Sequence, residues 1–472
     1  WSRLIAIARQ VSVHRQDCWG RVQQAMPHLA YILIGDPDPD RALSRAEFLN
    51  AAGYRCIQAS DAHTLIGLAG SRMPDVILMG QFTAPVDSLN IVRALKTADA
   101  TQSIPIVLLD LPPQADLLTL VRDEDVDDIL GPNDDNQELL LRLPRLTRSS
   151  VMQAELSRRI KTAAAFGLTV DPKDFIRAYP ARPLVLAVAP DDASMIDLVE
   201  ALNDGGFECV PETGYFRAAD ALDNGRFDAA VIMTASADDF ERTQYLCGHI
   251  RHNPRLFNLP TLVLTAPATR DRAKDFYRGG AAIVLSGLSD ADRLCTYIHM
   301  LVGRQRLRWT LRDPFKALLK DETADVSGVA YSRQFWDAHL ARTIETAQAR
   351  NARLAMAYLS IPTLPRIQEE YGTENAEILA HQLADWVTSM TRIEDTVARI
   401  GPDAFGILLP ETPRAEANGV AQRIIGILHN SEFNLGEDVM QSVRAWAVGG
   451  ATALEPDDTP ETFMARAKSV AN

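Results

Sequence analysis

Residues Thr391–Pro410 read TRIEDTVARIGPDAFGILLP, and the last third of the chain is organised around them. Two short apolar runs, Thr396–Ile400 and Phe405–Leu409, flank the four residues Gly401–Ala404, which is the pattern of a β-hairpin. Upstream, the spacing predicts a helix over Gln334–Gln348, a strand over Leu354–Leu359 and a helix over Glu374–Met390. The last of these has Ile378, Leu379, Leu383 and Trp386 at helical spacing. Downstream come a helix over Glu416–Leu428 and a strand over Val443–Thr452.

Before this region the chain alternates short strands with amphipathic helices. Tyr31–Ile34, Arg55–Ala59, Val76–Met79, Ile106–Leu109 and Ile129–Leu130 read as strands, with a helix over Arg41–Ala52. Such alternation predicts a parallel sheet with helices on both faces. The unit then recurs. Asn50-Ala51-Ala52-Gly53-Tyr54 is echoed by Asn203-Asp204-Gly205-Gly206-Phe207, Pro74–Met79 by Phe227–Met233, and Ile104–Leu109 by Leu259–Leu264. Two tandem copies of one α/β domain follow. Arg148–Phe166 reads as a long helix leaving the first copy. Leu301–Leu311 reads as a basic exit helix from the second, with Pro314 as its stop or kink.

With 472 residues there is room for about three domains. A hydrophobic content of 47% with 23% charged residues is ordinary for a globular protein. The net charge of −14 argues against broad, salt-driven attachment to DNA or acidic lipid, while leaving room for a local basic pocket. No apolar run approaches the roughly 20 residues that span a bilayer. The five cysteines are scattered, without metal-ligand spacing, and read as reduced thiols in a cytoplasmic protein. Trp1–Ala25 carries Arg3, Arg9, Arg15 and Arg21 among short apolar segments. It is a poor signal peptide, and an amphipathic extension and upstream residues of another kind both stay open.

Both α/β copies resemble CheY-like response-regulator receiver domains. A working receiver needs carboxylates at the strand ends to hold Mg²⁺, an Asp nucleophile after the third strand, a Thr or Ser after the fourth, and a Lys before a Pro after the fifth. In the first copy Gly35-Asp36 stands for the acidic pair, Gly80 for the phosphoacceptor, Asp110 for the Thr and Gly131-Pro132 for Lys-Pro. Asp36 and Asp110 offer either a cation site or two solvated carboxylates. In the second copy Ala189-Pro190 takes the acidic positions, with Asp191 and Asp192 following. Met233 or Thr234 takes the nucleophile's place, Thr265 is kept, and Gly287-Leu288 replaces Lys-Pro. Neither set supports an acyl phosphate, so both copies read as pseudo-receivers serving docking and dimerisation.

The segment Thr323–Phe335, with Gly328, Arg333 and Phe335, and the turn Gly401-Pro402-Asp403-Ala404-Phe405 resemble the diguanylate cyclase (GGDEF) family, whose core is a palm-like α+β domain. In that family a strand-end Asp and the hairpin acids hold Mg²⁺ against GTP, where the metal offsets phosphate charge and lowers the barrier to attack by the 3′-hydroxyl. Here Ser360 stands at the strand-end position, and Gln368 and Glu377 stand at the guanine-reading positions. Gly401 and Asp403 are retained, while Pro402 deletes an N–H and Ala404 removes the fourth-position Glu. The resemblance implies a lost active site, with no catalytic residue, cofactor or metal. A residual cyclase is the enzymatic alternative.

Arg392-Ile393-Glu394-Asp395 matches the family's Arg-x-x-Asp product site in residues and in spacing before the hairpin. Guanine presents two acceptors to an Arg fork on one edge and N–H donors to a carboxylate on another. The resemblance implies that Arg392 and Asp395 bind cyclic di-GMP, with Arg423 as a further site residue. Arg304, Arg306 and Arg308 are candidate helpers. The same short pattern also describes a solvated ion pair worth under about 1 kcal/mol.

The expected organisation is an extension (1–27), degenerate receiver 1 (28–150), a helical linker (151–180), degenerate receiver 2 (181–308), a linker (309–322) and a degenerate GGDEF domain (323–472). The arrangement resembles PleD-type proteins, and the loss of catalysis with a retained product site resembles PopA-type cyclic di-GMP receptors. What this implies is a homodimeric, non-catalytic effector, cytoplasmic and at a cell pole. It would work with an RcdA-like adaptor in ClpXP proteolysis. An interaction scaffold without nucleotide is the alternative from another class.

Overall fold

A computed structural model describes residues 29–83, 87–111, 125–131, 136–175, 179–253, 255–256, 258–266, 272–288, 291–436, 439 and 442–471. The expected extension 1–27 lies outside the described residues, as do Cys18 and Pro132.

The first unit runs β1 (Tyr31–Gly35), α1 (Pro39–Ala51), β2 (Arg55–Ala59), α2 (Ala62–Arg72), β3 (Val76–Met79), α3 (Ser88–Thr97), β4 (Ile106–Leu109) and β5 (Asp128–Leu130), followed by the long helix α4 (Asn136–Ala164). Its strands are parallel in the order β2-β1-β3-β4-β5, the doubly wound 2-1-3-4-5 topology. The helices start where a carboxylate satisfies their free amides: Asp38, Asp61 and Asp87 each accept from backbone N–H groups of the first turn. β3 and β4 are buried at every residue, as strands covered on both faces must be.

The second unit repeats the plan with β6 (Leu184–Val188), α5 (Asp192–Asp204), β7 (Glu208–Glu212), α6 (Tyr215–Asn224), β8 (Ala229–Thr234), α7 (Ala237–His252), β9 (Thr261–Thr265), α8 (Ala273–Gly279), β10 (Ile283–Ser286) and α9 (Ala291–Ala317). Its strand order, β7-β6-β8-β9-β10, is again 2-1-3-4-5. Asp191 is the N-cap of α5, accepting from the Ser194 amide at 2.9 Å, so it serves the helix rather than a metal.

At the mouth of the first sheet the expectation of a cation site or solvated carboxylates is corrected. Asp36 is fully buried. Arg41 Nε and Nη2 both donate to its carboxylate at 2.7 Å, Arg45 Nη1 lies 3.5 Å away, and Arg45 Nη2 donates to Asp110 at 3.2 Å. Two guanidinium groups occupy the region between these carboxylates. A Cβ on Gly80 would meet Asp36 Oδ2 at 2.8 Å, so a side chain at the phosphoacceptor position would require the Asp36 carboxylate to move from its arginine partners.

The third unit contains α10 (Arg333–Arg350), β11 (Leu354–Ser360), α11 (Thr363–Ser389), β12 (Thr396–Gly401), β13 (Ala404–Pro410), α12 (Arg414–His429), β14 (Glu432–Phe433), β15 (Val443–Arg444), β16 (Val448–Ala453) and α13 (Pro460–Ala471). β12-β13-β11-β16 form an antiparallel sheet. Alternate residues of β11 serve two cores: Ala355, Ala357 and Leu359 face α11 and α12, while Leu354 and Met356 pack with α10 and α13. Two expectations change here. The helix expected from Glu374 begins at Thr363 and kinks at Gly372, whose φ of 87° suits a residue without Cβ. The strand expected over Val443–Thr452 is broken into β15 and β16.

The expected domain boundaries at 150 and 308 both fall inside helices. α4 places Leu139, Leu143 and Leu146 in the first unit's core, then Met152, Leu156 and Ala163 in the core of the third. α9 does the same, with Leu294, Ile298 and Leu301 in the second unit and Leu311 and Phe315 in the third. Pro314 lies within α9 instead of ending it, because burial of Leu311, Pro314 and Phe315 holds the helix across the missing N–H.

Removing one partner of a buried ion pair leaves the other uncompensated. Arg41 is partly exposed and Arg45 keeps Asp110, so Asp36→Ala is expected to destabilise the first unit by about 1–3 kcal/mol, read as an earlier transition in thermal unfolding. Added Mg²⁺ is expected to leave the wild-type midpoint where it is.

Candidate functional site

Two places in the third unit collect the residues singled out in the sequence. The first is the β12–β13 turn. Ser360 Oγ donates to Asp403 Oδ2 at 3.1 Å, and the Ile361 amide donates to the Asp403 carbonyl at 2.7 Å. Ala404, paired with Ser360 across the strands, is buried and brings no carboxylate. Glu377 takes two hydrogen bonds from Arg399, at 2.6 and 3.1 Å, and the same guanidinium reaches the Pro402 carbonyl at 3.2 Å. Arg399 thus ties the position of the guanine-reading acid to the turn, a contact that the sequence reading missed. Gln368 is exposed on α11, ahead of the Gly372 kink. Among the described residues no group of three or more His, Cys, Asp or Glu is arranged to hold a metal.

The second place is a cleft of about 720 Å³ between the third unit and the two shared helices. Arg392, Ile393 and Asp395 line it from the loop before β12, with Leu409 from β13, Thr412 from the loop after it, and Glu416, Val420 and Arg423 from α12. Across from them stand Arg148 and Met152 of α4, Gln305, Arg308, Trp309 and Arg312 of α9, and Asn258 of the second unit. Its lining carries five arginines against two carboxylates, in a chain whose net charge is −14.

Each group has a specific environment. Asp395 is buried, and its Oδ2 accepts from the Arg392 amide at 2.8 Å while its Oδ1 has no hydrogen-bond partner. Burial, with the neighbouring Glu394 charge, pushes its carboxyl up to about 7. Arg392 is exposed, and Arg423 donates to the Met390 carbonyl at 2.9 Å. Arg148 Nε donates to the buried Glu394 at 3.2 Å. Burial and the nearby Arg148 lower the Arg308 pKa to about 10, and Arg308 Nε has no hydrogen-bond partner.

The sequence pointed to Arg392, Asp395 and Arg423, and all three line one cleft. Of the suggested helpers, Arg308 alone joins them. Arg304 faces Asp128 at 3.5 Å, and Arg306 faces Asp228 at 3.6 Å. Arg148, Trp309 and Arg312 were missed. Their positions on α4 and α9 relative to the hairpin depend on how three units pack, which no local pattern records.

Residues 324–471 match the family described as diguanylate cyclase, GGDEF domain. The response regulator PleD of Caulobacter vibrioides is 23% identical over 438 residues, covering 92% of this chain and 94% of that protein. The phosphate regulon transcriptional regulatory protein PhoB of Pseudomonas aeruginosa is 26% identical over 117 residues, covering 25% of this chain and 51% of its own. The crystal structure of the GGDEF domain of DgcB from Caulobacter crescentus in complex with c-di-GMP is 16% identical, covering 32% of this chain and 85% of that one, with a TM-score of 0.30. The architecture is two receiver domains followed by a GGDEF domain. Among the described residues no helix is long and apolar enough to cross a membrane.

The raised carboxyl of Asp395 has a defined linkage. Between the ordinary Asp range near 4 and about 7 the folded protein holds a proton here that the unfolded chain has lost. Stability from this group is therefore present at low pH and lost as pH rises through about 7. Asp395→Asn, whose amide oxygen still accepts from Arg392 N–H, is expected to gain on the wild type as pH rises from 5 to 8. The gain is at most roughly 1.4 kcal/mol per pH unit, read from unfolding midpoints of both proteins.

Proposed function

We propose that the protein is a cyclic di-GMP effector that holds the dinucleotide in the cleft between its GGDEF domain and helices α4 and α9, without converting GTP. One observation carries the reading: Arg392, Asp395 and Arg423 converge with Arg148, Arg308 and Arg312 on a single cavity. Its volume lies in the range of ligand sites, roughly 300–1,000 Å³. The ligand offers two guanines and two phosphodiesters. Guanidinium forks match guanine O6 and N7 and the phosphate oxygens. The unpartnered Asp395 Oδ1 matches the N1–H and N2–H₂ donors, and donors at that atom favour the ionised carboxylate. Trp309 and the arginine planes offer faces for a purine to stack on.

The hairpin supports the absence of turnover. Mg²⁺ at a triphosphate needs one or two carboxylates in tight geometry. Here Asp403 is engaged by Ser360, and Ala404 supplies no second acid. Pro402 removes a backbone donor from the turn. The partner side of the proposal is a homodimeric effector at a cell pole, acting with an RcdA-like adaptor and ClpXP. It rests on the resemblance to PopA-type receptors.

Calorimetric titration of cyclic di-GMP is expected to show saturable binding to the wild type. Arg392→Ala and Arg312→Ala, one from each wall, are each expected to weaken it by roughly 10- to 100-fold. The same protein with GTP and Mg²⁺ is expected to make no cyclic di-GMP. Product that disappears in Asp403→Ala would overturn the non-catalytic half. A flat titration would overturn the receptor half and leave a nucleotide-independent scaffold.

A further inference from the structure

The turn that carries Arg392 and Asp395 is not held by the GGDEF domain alone. It closes through the Asp395 amide on the Arg392 carbonyl at 3.0 Å, and through the Asp395 carboxylate on the Arg392 amide. The two central carbonyls, of Ile393 and Glu394, point to another element. Arg159 of α4 donates to both, from Nη1 to Ile393 at 3.2 Å and from Nη2 to Glu394 at 2.9 Å. Its third contact, Nε to Glu155 Oε1 at 2.8 Å, fixes the guanidinium in the helix that sends it. Phe315 of α9 and Tyr331 lie against that guanidinium, 4.8 and 5.5 Å from ring centroid to carbon.

Glu155 extends the same clamp. Fully buried, it accepts from Thr396 Oγ1 at 3.0 Å, directly after Asp395, and faces His339 Nε2 at 2.9 Å and Arg158 on its other oxygen. A buried carbonyl left unpaired is costly and a buried charge more so, so these partners stay together. α4 is also the helix that begins in the core of the first receiver. The shape of the Arg392–Asp395 turn is thereby written partly by a residue outside its own domain.

We propose that Arg159 is the positioning residue of the Arg392–Asp395 turn, and that through it occupancy of the cleft is coupled to the docking of α4 on the GGDEF domain. This rests on the ligand reading above and deepens it. When α4 is docked, two carbonyl contacts hold the turn with the Asp395 carboxylate aimed into the cleft. When α4 is displaced, the turn loses both contacts, and a ligand must order it from its own binding energy. By reciprocity, a ligand that prefers the ordered turn favours the docked helix by the same free energy.

The test uses the full chain with Arg159→Met, Arg159→Lys and a control, Leu340→Ala, which opens a cavity in the same core, against which Ile393 also packs, while leaving every hydrogen bond to the turn in place. Amide exchange at residues 392 and 395 in ligand-free protein is expected to quicken in Arg159→Met and not in the control. Arg159→Lys, which can restore one carbonyl contact, is expected to fall between. Cyclic di-GMP affinity is expected to drop about tenfold in Arg159→Met and to stay near wild type in the control. Saturating ligand is expected to slow exchange over residues 156–163 of the wild type, and to do so far less in Arg159→Met. If Arg159→Met fails to fold, Arg159→Lys against the control carries the comparison. Unchanged exchange at 392 and 395 with unchanged affinity would overturn the proposal. Quickened exchange in the variant beside a wild type that binds no cyclic di-GMP would uphold the positioning role and bring down the ligand reading instead.

Discussion

Two helices each have to satisfy two hydrophobic cores at once, and the arrangement of the chain depends on that constraint. α4 is the closing helix of the first receiver over Leu139–Leu146 and a packing helix of the GGDEF domain over Met152–Ala163. α9 plays the same double part for the second receiver and, through Leu311 and Phe315, the same GGDEF core. α4 runs about 44 Å over its 29 residues, with Pro144 inside it, and is hydrogen-bonded or packed on a core along most of that length. Docking its far end therefore orients the receiver at its near end. The receivers and the GGDEF domain are not beads on linkers, since the connecting segments are shared walls.

That sharing places charge where an isolated domain would not keep it. Arg145, Arg148, Arg304, Arg308 and Arg312 gather on the adjoining faces of α4 and α9. Burial, followed by the neighbouring Arg304 charge, lowers Arg145 to about 10, and Arg308 is lowered to the same value by burial and Arg148. Both remain protonated near neutral pH, so the positive charge is a standing cost of the closed arrangement. Glu394 offsets part of it through Arg148. An anionic ligand in the cleft would offset more, and the remaining lone pairs and donors match guanine edges as well as phosphates.

The hairpin, the Arg-x-x-Asp turn and both receiver repeats were legible in the sequence because each is a local pattern: alternation, spacing, a turn of known residues. Substitutions that delete chemistry were legible for the same reason, since Gly80, Ser360 and Ala404 each lack a group wherever they sit. What fills the gaps was not. That Arg41 and Arg45 close over Asp36, that Arg399 engages Glu377, and that Arg148, Trp309 and Arg312 face Arg392 are all facts of packing between elements far apart in the chain. Charged residues on amphipathic helices look alike in sequence whether they meet solvent or a cleft. Pro314 does not stop the helix, which runs three residues past it to Ala317 with Leu311, Pro314 and Phe315 buried.

The receivers' own switch supplies a last step. A receiver changes state when phosphate and a cation reorganise its strand-end mouth. In the first unit that mouth is filled by internal ion pairs, and the Asp36 carboxylate lies where a side chain at Gly80 would start. In the second, Asp191 caps a helix. Gly80 in the first unit and Met233 or Thr234 in the second stand where a receiver's phosphoacceptor Asp would be. On the ligand reading proposed above, the seam between α4, α9 and the GGDEF domain would supply a pair of states for a signal to select, since its like charges favour the closed form more with an anion present than without one. A ligand shifts an equilibrium only by its differential affinity for the two states. On the proposed ligand reading, conformational control would lie at the wall that the receivers share with the GGDEF domain.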